Sequence, residues 1–306
     1  MAHRRTHKNF DIFSNYDYFV PDFRGLVNIT LWFIAGALFG SVISAILGFI
    51  LGDIDNAMTY SMLVAYPVMF IPPMMYASIQ SRNNSFFGEG RKLVSDHYDP
   101  LGAPFCVLLV MMATLAAAFL MDGVTSLMPE MPEWLEEVLN GMVEGDLLVD
   151  FICVSVFAPI FEEWLCRGEV LRGLLNFKHK NKEGETVYGI KPVWAIIISA
   201  AFFAIIHANP WQAVPAFGLG CLFGYVYYKT GSLKLTMLMH FTNNTFALVM
   251  SNIDKFQEVE NWTEVMKPSL YVAVMVFCAA FIWYFIKKFD TIKVQSPQGN
   301  CDEVAA

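Results

Sequence analysis

Charge is scarce in this chain: 16% of its 306 residues are Asp, Glu, Lys or Arg, against 56% hydrophobic residues, and the mean hydropathy is +0.46. That balance argues against a soluble globule and for a membrane protein. Paired cysteines are missing too. Cys106, Cys153, Cys166, Cys221, Cys278 and Cys301 are scattered with no CxxC spacing, so neither a disulfide framework nor a Cys-type zinc site is indicated. No polar stretch is long enough to build a soluble domain, the longest being about 80–100 and 177–191. The first 25 residues contain Arg4, Arg5 and Lys8 but then run through aromatic and acidic residues, without the short apolar core or cleavage site of a signal peptide. Cys301 is followed by five residues, which excludes a CaaX lipidation box. The net charge of -8 has to be read loop by loop, and no nucleic-acid partner is expected.

What the chain does have is apolar runs long enough to cross roughly 30 Å of hydrocarbon. They fall at about 26–51, 57–79, 101–121, 147–172, 191–208, 211–228, 233–251 and 268–286. The predicted fold class is therefore all-α, a polytopic membrane protein of about eight transmembrane helices. Pro67, Pro72 and Pro73 should kink the second helix, while Gly36, Gly40, Gly218 and Gly220 offer small surfaces for close packing. Arg82, Arg91 and Lys92 follow the second run, Arg172, Lys178, Lys180 and Lys182 the fourth, Lys229 and Lys234 the sixth, and Lys287, Lys288 and Lys293 the eighth. The alternate connections are acidic or minimal, and 122–146 holds no Lys or Arg at all. The positive-inside rule then places both termini in the cytoplasm. The resulting organisation is a cytoplasmic segment 1–25, a membrane domain 26–286 and a cytoplasmic tail 287–306. Met131 to Met142 reads as an amphipathic helix on the outer surface.

Three of the apolar runs carry groups that lipid should reject: Glu162, Glu163 and Arg167, then His207, then His240 and Asn244. Each ionisable group costs at least a few kcal/mol near the bilayer centre, so such a set is by default a functional site. Glu163 and Arg167 stand four apart with the acid N-terminal, the favoured order for a helical ion pair. Glu162 points about 100° away and is free to face a cavity as a general base. His207 ends its run just before Asn209-Pro210. His240 lies about 10 Å along its helix, with Asn244 one turn further on the same face, and the two can donate to an oxyanion. Counted from Lys191, His207 would lie roughly 24 Å in, well beyond His240, unless its helix starts in the cytosol. Simpler readings stand beside these: Asn244 can join two helices, and a lone buried histidine is usually a packing residue. Cys166 as a thiol nucleophile lacks an orienting group, and His97 and His179 fall in cytoplasmic loops.

Glu-Glu-x-x-x-Arg at Glu162 to Arg167, Phe-x-x-x-His at Phe203 to His207 and His-x-x-x-Asn at His240 to Asn244 follow one another on successive apolar helices. In this the chain resembles the CPBP intramembrane proteases, the CAAX prenyl endopeptidase, bacteriocin-processing and abortive-infection family, over about 147–251. The resemblance implies peptide-bond hydrolysis within the membrane, with lipid and a hydrophobic or lipidated peptide as partners. Carried over by motif, Glu162 would activate water with help from His207, while His240 and Asn244 would hold the oxyanion and Glu163 with Arg167 would brace them. Glu162, His207 and His240 also resemble a His2Glu zinc set; glutamate-activated water is the preferred reading and Zn2+ the rival. A compact, tail-poor chain suggests a bacterial inner (cytoplasmic) membrane. The alternatives from other classes are a proton-coupled transporter using the same buried groups as a relay, and a catalytically silent immunity or scaffold protein on the same fold.

Overall fold

The computed structural model describes residues 16, 18–52, 54–86, 96–140, 146–253 and 261–294. The ends of the N-terminal segment and tail, and the basic residues Arg91 and Lys92, lie outside the described residues. Helix accounts for 79% of the structure. Among the described residues, eight long helices coincide with the eight apolar runs: α1 (Phe23–Leu51), α2 (Ile54–Phe86), α3 (Ala103–Thr125), a helical run α5 over 147–176, α6 (Pro192–Ile205), α7 (Pro210–Thr230), α8 (Leu233–Ser251) and α10 (Pro268–Phe289). Two short helices, α4 (Glu133–Asn140) and α9 (Trp262–Val265), lie in the connections between them. The first of these falls within the predicted surface helix.

Local chemistry sets the boundaries. Asp22 caps α1 by accepting from the Gly25 amide at 2.8 Å, and Gly52, at φ 69°, closes it in the left-handed conformation that glycine adopts most readily. Proline stands in the first turn of α6, α7 and α10, where its missing N–H costs nothing. Asn209 and Ser232 cap α7 and α8 by accepting from the Gln212 and Leu235 amides.

Among the described residues, four helices, Phe23–Leu51, Thr59–Phe86, Ala103–Thr125 and Pro268–Phe289, are long and apolar enough to cross a membrane. Their outward faces are apolar: Leu31, Trp32, Phe39 and Phe49 on α1, and Val276, Phe277 and Trp283 on α10, are all exposed. Of the other four long helices, three carry the polar motifs, α5, α6 with the turn after it, and α8. Of the four, α6 has only 14 residues, while charged and polar side chains dilute α5, α7 and α8.

α1 and α2 form a hairpin that docks through α2 onto the first half of α5. Pro67, Pro72 and Pro73 all sit inside α2 without ending it. Pro73 has no N–H for the carbonyl of Met69 four residues earlier, and Gly36 of α1 comes so close to that carbonyl that an added Cβ would stand 2.1 Å from its oxygen. Gly40 makes the same kind of approach to Ala65. α8 lies at the centre of the molecule, touching α3, α5 and α7. One apolar core, including Phe223, Met239, Phe285 and Phe289, joins α3, α7, α8 and α10; a second, including Tyr16, Phe70, Trp164 and Leu165, joins the hairpin to α5.

The connection after α5 contains an element that hydropathy does not announce. Strands β1 (Lys178–Lys180) and β2 (Thr186–Tyr188) pair antiparallel, and Gly189 and Ile190 donate to the carbonyls of Phe177 and Leu174 at 2.8 and 2.9 Å. Those bonds pin the end of α5 beside the start of α6. α8 starts further along α5 toward the motif, since Leu233 stands against Gly168 and packs on the cluster around Leu171.

Candidate functional site

These offsets decide which residues share a level. Counting back from Asn176 along α5 reaches Glu162 after about 20 Å, and counting forward from Pro192 along α6 reaches His207 after a similar distance. His240 lies only seven residues into α8, but α8 begins more than a turn further in. The depth mismatch expected from the sequence therefore disappears, because α6 begins further out than α8. The ring of Phe203 stands between the two imidazoles, with centroids 4.9 Å from His207 and 5.5 Å from His240.

α5 is not a plain α-helix where it carries the motif. Phe151–Phe157 and Trp164–Leu171 are π-helical, flanking the short α-helical stretch Ala158–Glu163. Such widened turns gather at functional sites. In the first, the Ala158 amide bonds to the Cys153 carbonyl five residues back. Continuing that pattern would pair residue 159 with Val154, but residue 159 is proline and has no N–H. The Val154 carbonyl takes its hydrogen bond from Asn244 Nδ2 instead, at 2.8 Å. The Asn244 Oδ1 accepts from Asn243 at 3.1 Å, so one amide hydrogen of Asn244 is left for another acceptor.

Glu163 and Arg167 form the expected pair, Nη1 to Oε1 at 2.7 Å, and both are fully buried. Arg167 is further held by Nη2 donating to the Gly220 carbonyl at 2.9 Å and by lying 4.6 and 5.3 Å from the centroids of the Phe203 and Phe223 rings. Gly220 leaves room for this: a Cβ there would be 3.3 Å from Nη2 and 3.1 Å from Ala200 Cβ. Glu163 Oε1 also faces His240 Nδ1 at 3.2 Å. Glu162 diverges as expected from helix geometry. Its side chain retains 14% exposure, its Oε1 accepts from the Tyr66 hydroxyl of α2, and its Oε2 stands 4.0 Å from His240 Nε2.

The hydrogen bonds fix the neutral tautomer of both histidines. His207 Nδ1 meets the Phe203 carbonyl at 2.7 Å, and a carbonyl only accepts, so Nδ1 carries the proton. His240 Nδ1 meets a carboxylate, with the same result. Each imidazole therefore presents Nε2 as its free nitrogen. A turn follows His207: Ala208 adopts φ 58°, a left-handed conformation unusual for a residue with a Cβ, and Asn209 Nδ2 donates to the His207 carbonyl at 3.0 Å. Imidazoles oriented by their other nitrogen suit a metal. Among the described residues, however, no three His, Cys, Asp or Glu side chains converge to hold one.

Cys166 is fully buried beside Phe203 and Ala216, and its carbonyl accepts from Ser199 at 2.8 Å. His179 stacks on Phe177 in the hairpin, and the His97 amide binds the Thr230 carbonyl.

The structure thus brings Glu162, Glu163, Arg167 and His240 into one network, sets His207 across Phe203 from it, and ties Asn244 to α5. Sequence reasoning missed Tyr66, because a tyrosine within an apolar span signals nothing by itself. It also missed a second buried pair, Glu169 with Arg172 at 3.1 Å, whose guanidinium donates to the carbonyls of Tyr16 and Phe19. The i,i+3 spacing of Glu169 and Arg172 was the available signal.

Residues 144–246 match the family model for Rce1-like type II CAAX prenyl endopeptidases, the same family that the three motifs resemble. The match covers about a third of the chain and contains every motif residue. No curated protein and no solved structure matches the chain.

Proposed function

We propose, from the Rce1-like match and the network around Glu162, that this integral membrane protein is a CAAX-type intramembrane endopeptidase with Glu162 as its general base. The observation that carries the reading is the division of labour on one carboxylate. Tyr66 occupies Oε1, which leaves Oε2 facing His240 Nε2 across 4.0 Å, a gap that one water can span by hydrogen bonds to both.

In this reading Glu162 removes a proton from that water as its oxygen attacks the scissile carbonyl, and the carbonyl electron pair moves onto the oxygen. His207 assists by accepting through its free Nε2. Glu163, anchored by Arg167, accepts from His240 Nδ1 and so orients the ring with Nε2 toward the reacting centre; a protonated Nε2 there donates to the oxyanion together with the spare amide hydrogen of Asn244. Collapse of the tetrahedral intermediate breaks the C–N bond, and Glu162 returns its proton to the departing amine. The substrate class is a prenylated Cys-a-a-X chain end, reached from the cytoplasmic side given the loop charges.

The test is cleavage of a farnesylated Cys-a-a-X peptide by purified protein in liposomes, read by release of the C-terminal tripeptide. Glu162→Gln should lose activity by at least a hundredfold at unchanged folding. Retained cleavage would overturn the assignment. A zinc requirement would appear in the same assay as inhibition by a chelator, relieved by added Zn2+.

A further inference from the structure

The segment that matches the protease family begins well after α2, yet the carboxylate assigned as base is held by a residue of α2. We propose that Tyr66 is a positioning residue for Glu162: its hydroxyl locks one carboxylate oxygen and so aims the other at His240. This rests on the reading of Glu162 as general base, and it places a working part of the site outside residues 144–246.

The geometry gives Tyr66 little choice of direction. Tyr66 and Phe70 are one helical turn apart on the same face of α2, with ring centroids 5.6 Å apart. Phe70, fully buried, stacks on Phe161 of α5 at 5.2 Å and 16° and also meets Phe33 of α1 at 5.4 Å. Phe161 immediately precedes Glu162. A column of rings therefore sets the distance between α2 and α5 at the level of the carboxylate, and the phenol at its end donates into Oε1.

Glu162 needs such a restraint. Its neighbours in the network are committed elsewhere, Arg167 Nη1 to Glu163 and Arg167 Nη2 to Gly220. A glutamate has three rotatable side-chain bonds, and a hydrogen bond to a charged oxygen is about twice as strong as a neutral one. With Oε1 fixed, the lone pairs of Oε2 are presented on the His240 side. Without that restraint the carboxylate samples rotamers that do not face the reacting water, and the loss falls on the chemical step, not on substrate binding.

Tyr66→Phe is the informative variant, since it keeps the ring column and removes only the hydroxyl. With the farnesylated Cys-a-a-X peptide in liposomes, kcat should fall at least tenfold while KM changes less than twofold. An unchanged kcat overturns the proposal, and so does a raised KM at unchanged kcat, which would make the hydroxyl a substrate contact. A second measurement does not depend on activity. In thermal unfolding of detergent-purified protein, Tyr66→Phe should lower Tm in the otherwise native chain and leave it unchanged in a Glu162→Leu background, which has no acceptor. An equal drop in both backgrounds overturns the proposal. Should the native chain fail to cleave the peptide, the protease reading falls, and the paired melts alone decide whether the Tyr66 hydroxyl holds Glu162.

Discussion

Replacing Arg167 by methionine keeps most of the side-chain length and removes the guanidinium, and the structure says what that should cost. Arg167 is fully buried and supplies a 2.7 Å ion pair to Glu163, a 2.9 Å hydrogen bond to the Gly220 carbonyl and contact with the Phe203 and Phe223 ring faces. The dominant consequence is a buried Glu163 carboxylate left with His240 as its remaining partner. Removing one member of a buried pair costs about 3–5 kcal/mol, mostly because the survivor is uncompensated. Glu163→Gln should cost less, since Arg167 keeps the Gly220 carbonyl and two aromatic faces, and the substituted amide oxygen can still accept from His240 Nδ1. The double variant Glu163→Gln with Arg167→Met has no buried charge to strand and should be more stable than Arg167→Met alone by about 2 kcal/mol. Denaturant unfolding in mixed micelles, followed by the fluorescence of the tryptophans, which include the buried Trp164, measures all four corners of the cycle. A double variant no more stable than Arg167→Met would refute the reasoning, because the cost would then come from lost packing.

The other expectations concern how the motif residues are placed. Asn244→Ala should cost about 1–3 kcal/mol by stranding the Val154 carbonyl, and Pro159→Ala, which restores an N–H at the π-helical position, should recover much of that loss in a thermal melt of the double variant. Pro159→Ala alone should lower kcat on the farnesylated peptide, by offering Val154 a backbone donor and releasing the Asn244 amide. Gly36→Val should destabilise the α1–α2 hairpin by about 1–3 kcal/mol or more, because its Cβ would meet the Met69 oxygen at 2.1 Å; a melt unchanged from the native chain would contradict the close packing. Arg172→Met should strand Glu169 and free the carbonyls of Tyr16 and Phe19, seen as faster amide hydrogen exchange over 18–22.

Much of this was legible in the sequence for identifiable reasons. Long apolar runs located the eight long helices, because segments that must satisfy their own backbone in lipid become helical. The four-residue spacing separated Glu163 from Glu162 correctly, since helix geometry alone turns adjacent side chains about 100° apart. The three motifs pointed to a family that the match over 144–246 also supports. Asn244 was ambiguous for a sound reason: an asparagine in an apolar helix serves a carbonyl or a substrate equally well, and only the orphaned Val154 oxygen shows which partner one of its hydrogens has.

What the chain determined by itself is local and periodic: helix, cap, apolar face, and the i,i+4 ion pair. The sequence could not say that His207 and Glu162 lie level, because depth depends on where neighbouring helices start, and the hairpin bonds at Gly189 and Ile190 set that start for α6. Nor could it say that Tyr66 meets Glu162 across 96 residues of chain, or that His240 donates to Glu163 from one nitrogen and faces Glu162 with the other. These are distances between elements, decided when glycines, ring columns and unpaired carbonyls pack. No pattern along a single helix encodes them.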